Sequence, residues 1–483
     1  MKRHLLFATL AVVLSRAMGL VTLLVLAQML VPADFGVVAA VVTFLALIQL
    51  SSDLGMQATL VYEQERGVTD RVHTAFTVNL VLAVAVTALG VLLAPAMAAF
   101  FHVPDRVDLF RLASLNLLLF GLGNVHDGLL LREMRFDRRI RPQVAQSLTQ
   151  AIVAIALAAA GLGAEAVVLG SLAGTAVWAA VLWSLTGYRP RVVWRPAIAR
   201  SMIGYGGAAS ALEVVSVVAS RSDALVIGRV LGDGALGLYA VAFRVPEMVL
   251  SNVAWTLSVV AFPALSRLRR HADGDLSAAT GRMVGWLALY ALPMAVGLAV
   301  LGQPIVDLLF PERFAAAGPV LSAVALTAGL NTVIFPLGDA GKASGKQGTL
   351  LLLNVVHVPL MVAAMVLAAD AGIVGVAWAG VGATAVFVLL FLFWAQRSVG
   401  LRLGPVLREL RPGVAAAVGV LLTLGPLRLA PVEHGAAVLL AAVPLAVLGA
   451  VVAVVLLAPG TLRRLGAELP ALLPRSPRPA ESR

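Results

Sequence analysis

Runs of about twenty apolar residues, each the length of helix that crosses a bilayer, recur along almost the whole chain. Few folds are left open by that pattern. Backbone N–H and C=O groups in hydrocarbon must bond to one another, and the strict alternation of a lipid-facing barrel strand is missing, so each run is expected to be a helix. Fourteen spans can be drawn, at roughly 5–30, 36–54, 75–101, 108–130, 143–162, 165–186, 204–229, 236–261, 284–309, 316–338, 349–369, 372–395, 413–430 and 436–458. The fold class predicted is an all-α integral membrane protein of about 14 transmembrane helices. A hydrophobic content of 60%, 13% charged residues and a mean hydropathy of +0.96 agree with lipid, not water, as the solvent.

Basic residues are sorted by side. Of 36 lysines and arginines, 28 fall in alternate gaps or at the ends, among them Lys2, Arg3, the five arginines from Arg132 to Arg141, Arg189 to Arg200, Arg397 to Arg411 and the tail. The opposite gaps hold Arg106, Arg111, Arg229, Arg313 and Arg428. Positive charge stays on the cytoplasmic side, so both termini are expected there, in a bacterial plasma membrane. The net charge of +11 is then an orientation and headgroup signal, with membrane lipids as partners and no nucleic acid. Zero cysteines exclude disulfides, thiolate metal sites and a cysteine nucleophile. The start, Met1–His4 and an apolar run, mimics a secretory signal but continues past Arg16, so it is expected to be a retained first span.

The chain also repeats. Gln28–Phe44 (QMLVPADFGVVAAVVTF) can be laid on Arg229–Val245 (RVLGDGALGLYAVAFRV), with Gly36 on Gly237 and a Ser-Arg pair upstream of each, Ser15-Arg16 and Ser220-Arg221. An even number of spans separates the copies, which predicts parallel halves related by an axis along the membrane normal. The expected domains are an N-terminal six-helix lobe over 1–200, a C-terminal six-helix lobe over 201–400, two extra helices over 401–460 and a disordered cytoplasmic tail over 461–483.

The segments LLREMRFDRR (Leu130–Arg139), SDALVIGRVLGDGALGLYAVAFRVPE (Ser222–Glu247), VVAFPALSRL (Val259–Leu268) and GDAGKASGK (Gly338–Lys346) follow one another in an order that resembles the polysaccharide transporters of the multidrug/oligosaccharidyl-lipid/polysaccharide exporter superfamily. The nearest branch is that of lipopolysaccharide and exopolysaccharide exporters. This resemblance implies an alternating-access flippase that carries a lipid-linked oligosaccharide, on a polyprenyl pyrophosphate, to the outer leaflet. It also implies polysaccharide polymerase or assembly proteins as partners.

Such a cargo presents hydroxyls that cost roughly 4–8 kcal/mol each if moved unpaired into hydrocarbon. A polar path is needed, and the chain places Arg16, Arg221 and Arg244 inside spans. An intramembrane arginine costs roughly 2.5–3.5 kcal/mol on insertion scales, so each is expected to face protein or water, and its planar fork suits phosphate. These three are the expected headgroup ligands. Pairing within the protein is the alternative, above all for Arg244 and Glu247, three residues apart on one helical face. Asp223, Glu213 and Glu247 are candidates for ion coupling, while Asp127 and Asp339 suit helix-end roles. Pro246, Pro293 and Pro336 mark candidate kinks. The Arg132–Arg141 run suits either an amphipathic surface helix or a plain topology signal.

Gly341–Lys346 fails the Walker pattern, and no zinc motif or nucleophile elbow is present, so neither catalytic residues nor a metal or cofactor is expected. Two other readings stay open: an ion-coupled cationic drug or metabolite antiporter of the same superfamily, and a saccharide polymerase or ligase, for which the short outside gaps leave little room.

The cysteine-free chain permits a direct topology test. Single cysteines replacing Asp105 or Asp370 should react with an impermeant maleimide on intact cells, and cysteines replacing Arg200 or Ser398 only after permeabilisation.

Overall fold

The computed structural model describes residues 18–49, 68–133, 135–196, 200, 217–270, 275–429 and 436–460. These residues are helical throughout, apart from short connections. In chain order the helices are α1 (Met18–Met29), α2 (Pro32–Gln49), α3 (Val68–Phe100), α4 (Val107–Arg132), α5 (Phe136–Ala159) and α6 (Ala164–Thr186). They continue with α7 (residues 217–230), α8 (Gly232–Pro246), α9 (Asn252–Arg270), α10 (Leu276–Val300) and the short α11 (Gly302–Leu309). The last are α12 (Ala317–Ala343), α13 (Gln347–Leu367), α14 (Gly372–Trp394), α15 (Leu403–Leu429) and α16 (Ala436–Leu457).

Eleven described segments are long and apolar enough to cross a membrane, and they coincide with eleven of the fourteen expected spans. Of the other three, the first and seventh are described only in part, as α1 and α7, and the thirteenth is the helix α15. Several expected boundaries are corrected: α3, α5 and α15 begin seven to ten residues before the spans drawn at 75, 143 and 413, and α10 differs at both ends. The ninth span, drawn at 284–309, is α10, which begins eight residues earlier and stops at Val300. Asp275 starts it by accepting the Ala278 N–H at 3.0 Å, an N-cap that hydropathy does not register. That bond, then the Arg402 guanidinium, holds the exposed Asp275 carboxyl below the usual carboxylate range. The stabilisation is therefore present above the ordinary carboxylate range and lost as pH falls through the lowered value.

The Arg132–Arg141 run does not form a helix of its own. Arg132 ends α4, and α5 begins at Phe136, so Arg138 and Arg139 ride on the first turn of a long helix.

Two compact units are present. The first takes in the described residues up to Ala242 together with Leu309–Val320 and Leu351–Gly380; the second comprises Phe243–Leu308, Leu321–Leu350 and the described residues from Val381. The boundary expected at 200/201 falls where residues 201–216 are outside the described set.

Within the first unit, polar groups at helix ends are closely paired. Asp127 of α4 receives a bidentate pair of bonds from Arg139 of α5, at 2.7 and 2.8 Å. The Nδ1 atom of His73 accepts from both Tyr188 Oη (2.8 Å) and the Arg191 N–H (3.0 Å), which assigns its proton to Nε2. These bonds, with Val193 N–H to Thr77 Oγ1 at 3.0 Å, strap the extended segment after α6 across the start of α3.

In the second unit α10 and α15 lie in close contact, because both present small residues along one face. A Cβ placed on Gly413 would stand 2.5 Å from the Ala288 carbonyl carbon and 2.6 Å from its oxygen. Lipid offers little hydrophobic drive for helix association, so such close backbone approach supplies the packing energy. By contrast α13 buries only Met365, and its Leu352, Val356 and Leu367 face outward, as lipid-facing side chains do.

Gly413→Leu should lower stability by about 1–3 kcal/mol, as overpacking does. The measurement is thermal unfolding in detergent, with Gly404→Ala, which meets open space, as the unaffected reference.

Candidate functional site

The residues expected to carry function separate into a cluster on α7 and α8, a proline-centred break after α8, and a group outside the described residues. Arg16 and Glu213 belong to the last.

Helices α7 and α8 form a hairpin that turns at Leu231–Gly232, where Gly232 takes a φ of +84°, open to glycine without strain. Asp223 and Tyr239 lie equally far before and after Leu231, so the hairpin brings them to the same depth, about 12 Å from the turn at 1.5 Å per residue. There Tyr239 Oη donates to Asp223 Oδ2 at 2.7 Å. The other carboxylate oxygen, Oδ1, lies 2.7 Å from the Ala224 N–H. Tyr239 is buried, Asp223 and Arg221 are half-buried, and Arg221 is near enough to act electrostatically on the carboxylate. The structure thus brings together two predicted residues, Arg221 and Asp223, and adds a third, Tyr239, that sequence reasoning missed. The signal was there: a polar residue placed symmetrically to Asp223 about the hairpin turn.

Arg244 and Glu247 meet as an ion pair of 2.9 Å, with the Arg244 side chain 53% exposed. They flank Pro246, which cannot donate to the preceding turn, and the helix widens there into a π-turn over Glu247–Ser251. Tyr290 of α10 donates to the Val249 carbonyl in this turn at 2.6 Å. Pairing within the protein, the alternative for Arg244, is the arrangement observed.

Asp339 on α12 is 2% exposed and has Lys342 3.8 Å away, a helix-end pairing one turn apart. No group of three or more metal-ligating side chains occurs among the described residues.

A third feature of the first unit was visible only as a sequence repeat. A Cβ on Gly36 would lie 1.8 Å from the Asp233 carbonyl oxygen, and a Cβ on Gly237 would lie 1.8 Å from the Pro32 carbonyl oxygen. In the alignment of the two copies Pro32 falls on Asp233 and Gly36 on Gly237. Each glycine therefore packs on the counterpart of the other's partner, and any side chain at either would force the first turns of α2 and α8 apart. Nearby, Arg229 donates from Nη1 to His102 Nε2 at 2.5 Å and stands over the Phe100 ring at 5.7 Å. His102 holds a positive φ of 59°, which turns the chain sharply at the end of α3. Arg313 closes the group by donating to the last carbonyls of α1 and its turn, Ala27 O at 2.7 Å and Leu30 O at 3.1 Å, where a cation is favoured. Phe314 meets Phe35 edge-to-face at 5.6 Å.

This chain is similar to known proteins over most of its length. It is 29% identical over 316 residues to the succinoglycan biosynthesis transport protein ExoT of Rhizobium meliloti, a match that covers 65% of this chain and 63% of that protein. It is 24% identical over 380 residues to the lipopolysaccharide biosynthesis protein WzxC of Escherichia coli, covering 77% and 75% of the two chains. The fold is similar to that of the lipid II flippase MurJ in an inward closed conformation, with a TM-score of 0.76, 14% identity and coverage of 95% and 100%. It is also similar to an inward-facing multidrug resistance MATE transporter, with a TM-score of 0.59, 15% identity and coverage of 80% and 94%. A family profile described as polysaccharide biosynthesis protein matches residues 25–319, more than half of the chain. With its many apolar helices, the protein is a multi-pass membrane protein that belongs to the polysaccharide biosynthesis protein family.

Proposed function

We propose that this protein is an alternating-access flippase that translocates a lipid-linked oligosaccharide, carried on a polyprenyl pyrophosphate, from the cytoplasmic to the outer leaflet for surface or exopolysaccharide synthesis. The observation that carries the reading is the Arg221–Asp223–Tyr239 cluster at hairpin depth, in a chain whose relatives include a succinoglycan biosynthesis transport protein and a probable low-salt glycan biosynthesis flippase. Arg221 offers a planar fork to the pyrophosphate oxygens. Asp223, hydrogen-bonded by Tyr239, is the candidate for exchange of a proton or sodium ion, and Tyr239 keeps the carboxylate oriented in either state. Arg16 remains a proposed headgroup ligand and Glu213 a proposed ion-coupling carboxylate on the same reasoning. Arg244 and Glu247, already paired, would act by opening that pair near the π-turn.

The exchanged contacts of Gly36 and Gly237 support a two-fold relation between the repeats, as isologous contacts do. We take the architecture to be fourteen spans with both ends cytoplasmic, two six-helix lobes and two extra helices. The glycine contact, Arg229 and Arg313 then seal the outer ends in a state closed to the outside, and their parting is the opening step. No chemical conversion is part of this reading, and polymerase or assembly proteins would act on the product at the outer face. The MATE-like fold keeps the cationic antiporter as the second reading.

In cells depleted of the protein, a complete lipid-linked repeat unit should accumulate and be protected from an impermeant reagent; unchanged lipid intermediates would favour the antiporter. Arg221→Ala should reproduce that accumulation without reducing membrane insertion. Gly36→Leu or Gly237→Leu should also block export, and cysteines placed at Asp105 or Asp370 should still label from outside.

A further inference from the structure

A cavity of about 560 Å³ lies between the first turns of α10 and α15 and the end of α16, beside the Gly413–Ala288 contact. Three arginines line it: Arg282 from α10, and Arg408 and Arg411 from α15. All three are exposed, and none forms an ion pair among the described residues. Glu409 also lines the cavity; its Cβ and carbonyl oxygen lie against the Gly285 backbone, 2.9 and 3.0 Å from where a Cβ would stand. Three positive charges and one negative leave an excess of two.

The remaining wall is of a different kind. Trp286, Leu289 and Leu457 line it, and they continue into the outward face of α16, where Val452 and Leu456 are exposed. Arg411 stands about 12 Å along α15 from its start, at 1.5 Å per residue, so the charge reaches to where the apolar wall begins. A tryptophan beside arginines at a span end is the composition of the headgroup layer, where an amphipathic ring and a guanidinium both find partners. A soluble anion would use the arginines and leave the apolar wall wet. A lipid would use both.

We propose that this cavity binds the phosphate of an anionic membrane lipid, with its hydrocarbon chain running along Trp286, Leu289 and Leu457. The three guanidinium groups hold the phosphate oxygens as charge-assisted forks. Because α15 packs on α10 through Gly413 and Ala288, and α16 on α15 through Gly449 and Gly419, occupancy also joins the last two helices to α10. Two lipids carry this chemistry, a bilayer phospholipid such as phosphatidylglycerol and a polyprenyl phosphate. The site rests on the membrane character of the chain and not on the flippase reading, so either can fail alone.

Native mass spectrometry of the purified full-length protein tests it, with phosphatidylglycerol, undecaprenyl phosphate and phosphatidylcholine added in turn. Wild-type protein should retain one or both phosphate-bearing anionic lipids in preference to phosphatidylcholine. Preference for phosphatidylglycerol marks a bilayer-lipid site, and preference for undecaprenyl phosphate marks a carrier site. The variant carrying R282Q, R408Q and R411Q should lose affinity by about a hundredfold, since each arginine near an anionic headgroup contributes comparably. Arg397→Gln, a charge removed elsewhere, should change nothing. Should the triple variant not fold, each single substitution is expected to weaken retention by several fold. Equal retention by wild type and variants, or retention of phosphatidylcholine as strong as that of the anionic lipids, overturns the proposal. Displacement of the lipid by millimolar inorganic phosphate also overturns it, because the apolar wall would then contribute nothing.

Discussion

Inside hydrocarbon a backbone N–H or C=O finds no water, and every other property of this molecule follows from that. Each crossing segment must close its hydrogen bonds along its own axis, so the chain is a set of helices before any side chain is considered. The same rule explains why irregular backbone is placed with such care. The π-turn after Pro246 frees carbonyls, and the Val249 carbonyl is taken by Tyr290 at 2.6 Å. The end of α1 exposes carbonyls, and Arg313 takes two of them. Breaks in the helices are therefore where side chains from distant parts of the chain are drawn in.

Once all segments are helices in lipid, the hydrophobic effect no longer distinguishes one pairing from another, and closeness of approach does. That is why small residues recur at the contacts. Gly413 against Ala288 brings α15 onto α10, and Gly36 against Asp233 with Gly237 against Pro32 brings α2 onto α8. The first contact involves continuous helix and suits a permanent seam. The second joins the starts of two helices and is bordered by polar contacts, Arg229 to His102 and Arg313 to carbonyl oxygens, which water can replace at modest cost. A seam of that kind can part, as the proposed alternating access requires.

Charges inside the spans are the costly element of the design, and their surroundings explain how they are tolerated. Asp223 is hydrogen-bonded by Tyr239 and faces the field of Arg221 from the same helix. Arg244 is neutralised by Glu247 one turn away. Sequence alone ranked both arginines as ligands because it located them in apolar runs, and apolar runs do not say what lies across the helix interface. The i, i+3 spacing of Arg244 and Glu247 was legible, and the pair forms. The Asp223–Tyr239 bond was legible only in retrospect, since a contact sixteen residues apart requires knowing where α7 ends and α8 begins. That depends on Gly232 adopting a positive φ.

From the sequence by itself come the helical class, the membrane environment, the order of the apolar segments and the glycine-centred repeat. These depend on hydropathy summed over whole segments, which tolerates errors of a few residues. Helix ends were less secure: Asp275 starts α10 eight residues before the apolar run was drawn, because one capping hydrogen bond outweighs hydropathy there. Only the tertiary structure decided that each repeat glycine packs on the counterpart of the other's partner, that Arg313 reaches back to the end of α1, and that Arg282, Arg408 and Arg411 share one cavity. Each of these joins residues far apart in the chain, and periodicity along a helix carries no information about which face of which neighbour will meet it.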